Sequence, residues 1–117
     1  MDAPETRRLV NQIVLKLGDV SNPAKNETLS GKWTELIMQE FYLQGDKEAA
    51  QGRPVSMFMD RNTTSVPKCQ IGFISFIVEP LWTAAAAKLS LDRQLDNIKA
   101  NKERWERALA KEQQFDQ

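Results

Sequence analysis

Three features of this 117-residue sequence predict an all-α chain. Apolar residues recur at three- and four-residue spacing over 5–17, 30–44 and 91–114, the pattern of amphipathic helices. Glycine and proline number five each and serve mainly as punctuation between those segments. The stretch with a strand-like composition, Gln70–Trp82, is too long for an ordinary strand and runs on toward four alanines at 84–87, which favours helix.

The elements follow in order. Leu9, Ile13 and Leu17 lie at i, i+4 and i+8, with Val10 and Val14 widening the stripe, so a helix is expected from Glu5 to Leu17. It should stop near Ser21–Asn22, because Pro23 disfavours helical geometry in the residue before it. Asn26–Gly31 reads as a turn or short linker. A second helix is expected over Ser30–Gln44, carried by Trp33, Ile37 and Phe41 with Leu36 and Leu43 beside them, and Gly45 reads as its stop. Residues 52–67 read as a loop. A third helix is expected from Pro67 to Leu89; its first half is apolar nearly all round, as in a helix buried on most sides, and Pro80 should kink or break it. Leu91, Leu95, Ile98, Trp105 and Leu109 mark a last helix over 91–114, charged on its other faces.

Composition narrows the function. Lys plus Arg and Asp plus Glu are 16 each, so no basic excess draws nucleic acid or anionic lipid. With no histidine, the chain alone builds neither a Ser-His-Asp site nor an HExxH zinc site. The single cysteine, Cys69, closes no internal disulfide and reads as a small apolar residue. The N-terminus lacks a signal-peptide apolar region, and no stretch is expected to approach a membrane span of about 20 apolar residues; a soluble, cytoplasmic domain is expected. The sequons at Asn26 and Asn62 are discounted for want of a secretory signal. The wide apolar faces leave open a part of a larger domain, a four-helix bundle or a homodimer.

Several residues invite a chemical reading beside a structural one. Asp19 ends an apolar helix, where the dipole disfavours negative charge and a cation would reverse the penalty; a solvated Asx turn is the alternative. Gln70 and Phe73 share a face at i, i+3. An amide offers a donor and an acceptor side by side, as a purine edge does, and a phenyl ring stacks on it; a capping Gln and a core Phe are the alternative. Trp33, Ile37, Met38, Phe41 and Phe58 line an apolar pocket or simply fill a core.

Together these stretches resemble a known family. Asp19-Val20-Ser21-Asn22-Pro23-Ala24-Lys25 resembles the D-[IVL]-S-N-P-x-[KR] motif of class I 3′,5′-cyclic nucleotide phosphodiesterases. Trp33-Thr34-Glu35, followed by Glu40-Phe41 and Gln44-Gly45-Asp46-Lys47-Glu48, is similar to that family's W-T-x…EFF-x-QGDxE helix. Met59-Asp60-Arg61 matches its loop. Gln70-Ile71-Gly72-Phe73-Ile74 with Ile77-Val78-Glu79-Pro80-Leu81 matches its QxGF(I)xxIVxPL helix, and Asn101 and Trp105 are similar to its terminal N-x-x-x-W. Order and spacing agree from about Arg7 to Trp105.

The resemblance implies an all-α fold, the helical C-terminal portion of a larger multi-helix, HD-type phosphodiesterase domain, with the metal-binding N-terminal half absent. It implies cleavage of the 3′ phosphoester of cAMP or cGMP at a centre of two divalent metals, zinc with magnesium or manganese. Asp19 would be one metal ligand, Gln70 the purine-binding amide, and Phe73 one side of an aromatic clamp with Ile37 on the other. Asn22 would lie near the base edge, and Trp33, Thr34, Met38, Phe41 and Phe58 would line the pocket. The family's metal-binding and proton-donating histidines have no counterpart here, and Lys16 and Asn62 stand where many members have histidine. The chain alone is therefore expected to be inactive; an inactive short product acting as a binding or partner module is the alternative.

Overall fold

A computed structural model describes residues 3–116. All of its regular elements are helical: α1 (Pro4–Asp19), a 3₁₀ turn (Asn22–Ala24), α2 (Glu27–Ala50), α3 (Val66–Phe73), a π turn (Ile74–Val78), α4 (Glu79–Ala86) and α5 (Asp92–Phe115). α3, the π turn and α4 form one continuous rod.

Helix ends follow local chemistry. Pro4 opens α1, where a missing N–H costs nothing. Asn26 is not linker but an N-cap: its side-chain oxygen accepts from the Leu29 N–H at 3.0 Å, so α2 starts three residues before the expected Ser30. α2 also runs past Gly45. Its stop is Gly52, at φ +70°, with Gly52 N–H donating to the Ala49 carbonyl and Arg53 N–H to the Glu48 carbonyl. That is a Schellman ending, which needs a left-handed residue.

Gly45 has a different task. A Cβ there would lie 2.0 Å from the Met59 carbonyl oxygen, so its hydrogen lets the 51–65 loop lie directly on α2. Pro80 does not break the rod. It has no N–H for the preceding turn, and the π turn just before it widens the ladder where that bond is lost.

The core is small. Leu17 of α1, Ala24 of the turn, Ile74, Val78, Trp82 and Ala85 of the rod, and Ile98 of α5 form one cluster. Leu91, Leu95 and Trp105 pack on its edge, and Lys102 of α5 bridges to Glu79 at 3.0 Å. Only one face of the rod is buried: Ile74, Val78 and Trp82, at i, i+4 and i+8. Phe76 is 84% exposed and Ile77 51%. The expectation of a helix buried on most sides is thus not met within this chain. The expectation that no stretch approaches a membrane span is also corrected, since Val66–Ala86 is long and apolar enough by length and composition. Its buried stripe, however, packs on α5 and the core.

The molecule is extended, 54 × 35 × 21 Å with a radius of gyration of 17.1 Å, against about 13 Å for a compact chain of this length. α1 shows why: it buries Leu17 while Leu9 and Val14 of its apolar side, and Leu15 on the opposite face, stay exposed.

The close approach at Gly45 makes a direct prediction. Gly45→Ala forces the Met59 backbone away from α2 and should lower stability by about 1–3 kcal/mol, as overpacking does. Urea unfolding of the two proteins checks this; an unchanged midpoint contradicts the contact.

Candidate functional site

The turn between α1 and α2 is the pivot of the site. Its three carbonyls after Asn22 face α5. Asn101 donates from Nδ2 to the Pro23 and Lys25 carbonyls at 2.9 and 2.8 Å, and Asn97 donates to the Ala24 carbonyl at 2.9 Å. On the other side Asn22 accepts through Oδ1 from Ser30 Oγ at 3.0 Å and donates through Nδ2 to Thr34 Oγ1 at 3.5 Å. The turn is therefore held from α2 and α5 together.

Beside it lies a cleft of about 780 Å³. One wall is α2, through Trp33, Ile37 and Phe41. The other is the rod, through Cys69, Gln70, Gly72, Phe73, Phe76 and Ile77. Asp19, Val20 and Asn22 close one end, and Phe58 reaches in from the loop. The cleft is largely apolar and aromatic with few polar groups, the usual character of a small-molecule site.

Asp19, Asn22, Trp33, Ile37, Phe41, Phe58, Gln70 and Phe73 all line this one cleft. Thr34 and Met38 do not. They are 2% and 4% exposed, on the buried side of α2, and Thr34 acts from behind the wall by holding Asn22. Thr34 and Met38 each follow a cleft residue, Trp33 and Ile37, by one position, about 100° round the helix, in the phase that carries Ser30 inward. Cys69, Phe76 and Ile77 were missed as lining residues. Their spacing with Phe73, at i, i+4, i+7 and i+8, was the available signal.

Gln70 is 5% exposed and lines the cleft. A buried amide left facing a cleft is a group for a ligand to satisfy. Beside it, burial pushes the Cys69 thiol up, so it is neutral at physiological pH and not a thiolate nucleophile. Asp19 is exposed and is the one carboxylate lining the cleft. Among the described residues no three His, Cys, Asp or Glu side chains come together. Among the described residues the donors at the cleft thus fit one ligand of a metal centre and do not complete one.

The loop that delivers Phe58 is tied to α2 by charge. Glu48 accepts from Ser56 N–H at 2.7 Å, Ser56 Oγ at 2.9 Å and Gln44 Nε2 at 2.9 Å. Arg61 donates to both carboxylate oxygens of Asp46, a bidentate pair, and lies over the Tyr42 ring at 5.6 Å. Phe58 has φ +68°, a left-handed conformation costly for an aromatic residue, so the loop is held against local preference.

The model of the 3′,5′-cyclic nucleotide phosphodiesterases matches residues 1–98. The chain belongs to this phosphodiesterase family. Among curated relatives it is 42% identical over 105 residues to the rat 3′,5′-cyclic-AMP phosphodiesterase 4C, covering 88% of this chain and 20% of that protein. It is 37% identical over 108 residues to a Drosophila melanogaster 3′,5′-cyclic-AMP phosphodiesterase, isoform F, covering 91% of this chain and 16% of that one. Among solved structures it superposes on LmjPDEB1 in complex with IBMX with a TM-score of 0.86 and 32% identity, over 93% of this chain and 33% of that chain. The chain thus spans about a fifth of the rat relative and a third of the solved one. The all-α architecture is that of the phosphodiesterase fold, and membership implies divalent-metal dependence of the family's activity in general.

Hydrogen bonds hold the Asp46 and Glu48 carboxyls below their ordinary values of 3.8 and 4.5. For depressed carboxyls, the loop's attachment is present above those ordinary values and is lost as pH falls through the lower folded ones. The Ser56 amide proton should accordingly shift in NMR spectra with a midpoint below 4.5. Glu48→Gln should abolish that titration; a midpoint at or above 4.5 contradicts the attachment.

Proposed function

We propose that this chain is the purine-reading C-terminal part of a divalent-metal-dependent phosphodiesterase that cleaves the 3′ phosphoester of a cyclic nucleotide, ending a cytoplasmic signal. The observation that carries the reading is the cleft itself, with the Gln70 amide one turn from the Phe73 ring. A planar heteroaromatic base with adjacent donor and acceptor satisfies the amide at its edge and the ring on its face. The names of the rat and fly relatives, both 3′,5′-cyclic-AMP phosphodiesterases, support cAMP as the nucleotide; cGMP is the second candidate, since a carboxamide can present its two groups in either order.

Asn22, fixed by Ser30 and Thr34, faces the base edge, and Ile37 and Phe73 supply the faces of the clamp. Asp19 is the one metal ligand of the chain, in a centre of zinc with magnesium or manganese completed by residues of the N-terminal part of the domain. The chemistry expected of that centre when occupied is polarisation of the phosphate and activation of water. Exposed Phe76, Ile77, Leu9 and Leu15 support the presence of further helices beside the chain in the working enzyme.

The isolated 117-residue chain should show no cAMP hydrolysis above the metal-only blank with added Zn²⁺ and Mg²⁺; turnover above the blank would refute the single-ligand assignment. In a longer protein that is active and contains this chain, Gln70→Ala should raise KM roughly tenfold, the scale of one buried hydrogen bond. Asp19→Ala should abolish metal-dependent turnover. Normal kinetics in either variant breaks that residue's assignment.

A further inference from the structure

We propose that Asn101 of α5 is a positioning residue for the cleft: its carboxamide sets where Asn22 and Asp19 stand by holding the turn that carries them. The inference rests on the nucleotide-reading role of the cleft, but its structural half is independent of it. Asn101 is 2% exposed and does not itself line the cleft. Both N–H groups of its amide are spent on the Pro23 and Lys25 carbonyls. Arg104 Nη2 donates to its Oδ1 at 3.3 Å, which leaves the amide one orientation. The Arg104 guanidinium is itself stacked over Trp105 at 4.8 Å. Asn97, one turn earlier on α5, takes the Ala24 carbonyl between them.

The choice of asparagine follows from this inventory. Three successive carbonyls, buried at Pro23 and part-buried at Ala24 and Lys25, need donors without acceptors facing them. An aspartate of the same shape presents two acceptors to those carbonyls and repels them. The turn leads on one side to Asp19 and on the other to α2, so its displacement moves both the carboxylate and the Asn22 amide. Core packing alone does not fix the rotation of the turn. Pro23 and Ala24 are buried by contact, which is non-directional, whereas the three hydrogen bonds are directional.

The test uses isotope-labelled chain and NMR titration with cAMP up to millimolar concentration. Asn101→Asp removes both donors at constant size; Asn97→Ala removes only the Ala24 bond and serves if the first variant fails to fold. Ile98→Val, a core change beside them, is the control for lost stability. The asparagine variants should displace the Asn22 side-chain amide pair and the Asp19 backbone amide, and weaken cAMP binding about tenfold in Asn101→Asp. Ile98→Val should lower Tm and leave both readouts in place. An Asn22 amide unmoved in the asparagine variants, or moved as much in Ile98→Val, overturns the proposal. If the parent chain shows no cAMP-induced shift around Gln70, the nucleotide reading fails, while the Asn22 comparison still decides the positioning role.

Discussion

Two asparagines on α5 take the carbonyls of three consecutive residues, Pro23, Ala24 and Lys25, and most of the structure hangs on that capture. The turn is where the chain leaves α1 and enters α2. Fixing it sets the end of α1, with Asp19, and the start of α2, with Ser30 and Thr34 against Asn22. α5 in turn packs on the rod that carries Gln70 and Phe73. One polar junction therefore relates both walls of the cleft, across a sequence separation of more than seventy residues. A small apolar core could bring these helices together, but directional bonds are needed to set the angle at which they meet.

The rest of the molecule is under-covered. α1 offers an apolar side and buries little of it, and the rod turns Phe76 and Ile77 outward. The radius of gyration exceeds that of a compact chain of this length by several ångströms. These facts agree with a chain that spans a third of the solved relative it superposes on. They also fit the character of the cleft, whose end is held from α2 and α5 and whose lining carries one carboxylate, Asp19.

Most of this was legible from the sequence, and the misses have physical reasons. Three- and four-residue periodicity located every long helix, and the motif order identified the family. Gly45 was read as a helix stop because glycine commonly ends helices; its real reason, the Met59 backbone 2.0 Å from a hypothetical Cβ, is a contact fourteen residues away that no local pattern records. Gly52, the true stop, was hidden in a loop-like stretch. Pro80 suggested a break, yet a π turn absorbs it, because tertiary packing of Ile74, Val78 and Trp82 keeps the rod whole. Thr34 and Met38 were placed on the cleft by motif, and helical phase turned them inward. The roles of Asn97 and Arg104 were invisible, since they concern backbone carbonyls far away in sequence.

The central claim is that the cleft seats a purine, edge to Gln70 and face to Phe73. Saturation-transfer difference NMR of cAMP mixed with this chain tests it most directly, because it reports which ligand protons lie against the protein. The account predicts stronger saturation of the purine H2 and H8 protons than of the ribose protons, lost in Phe73→Ala. Equal saturation over base and ribose, or a purine signal that survives Phe73→Ala unchanged, would contradict it.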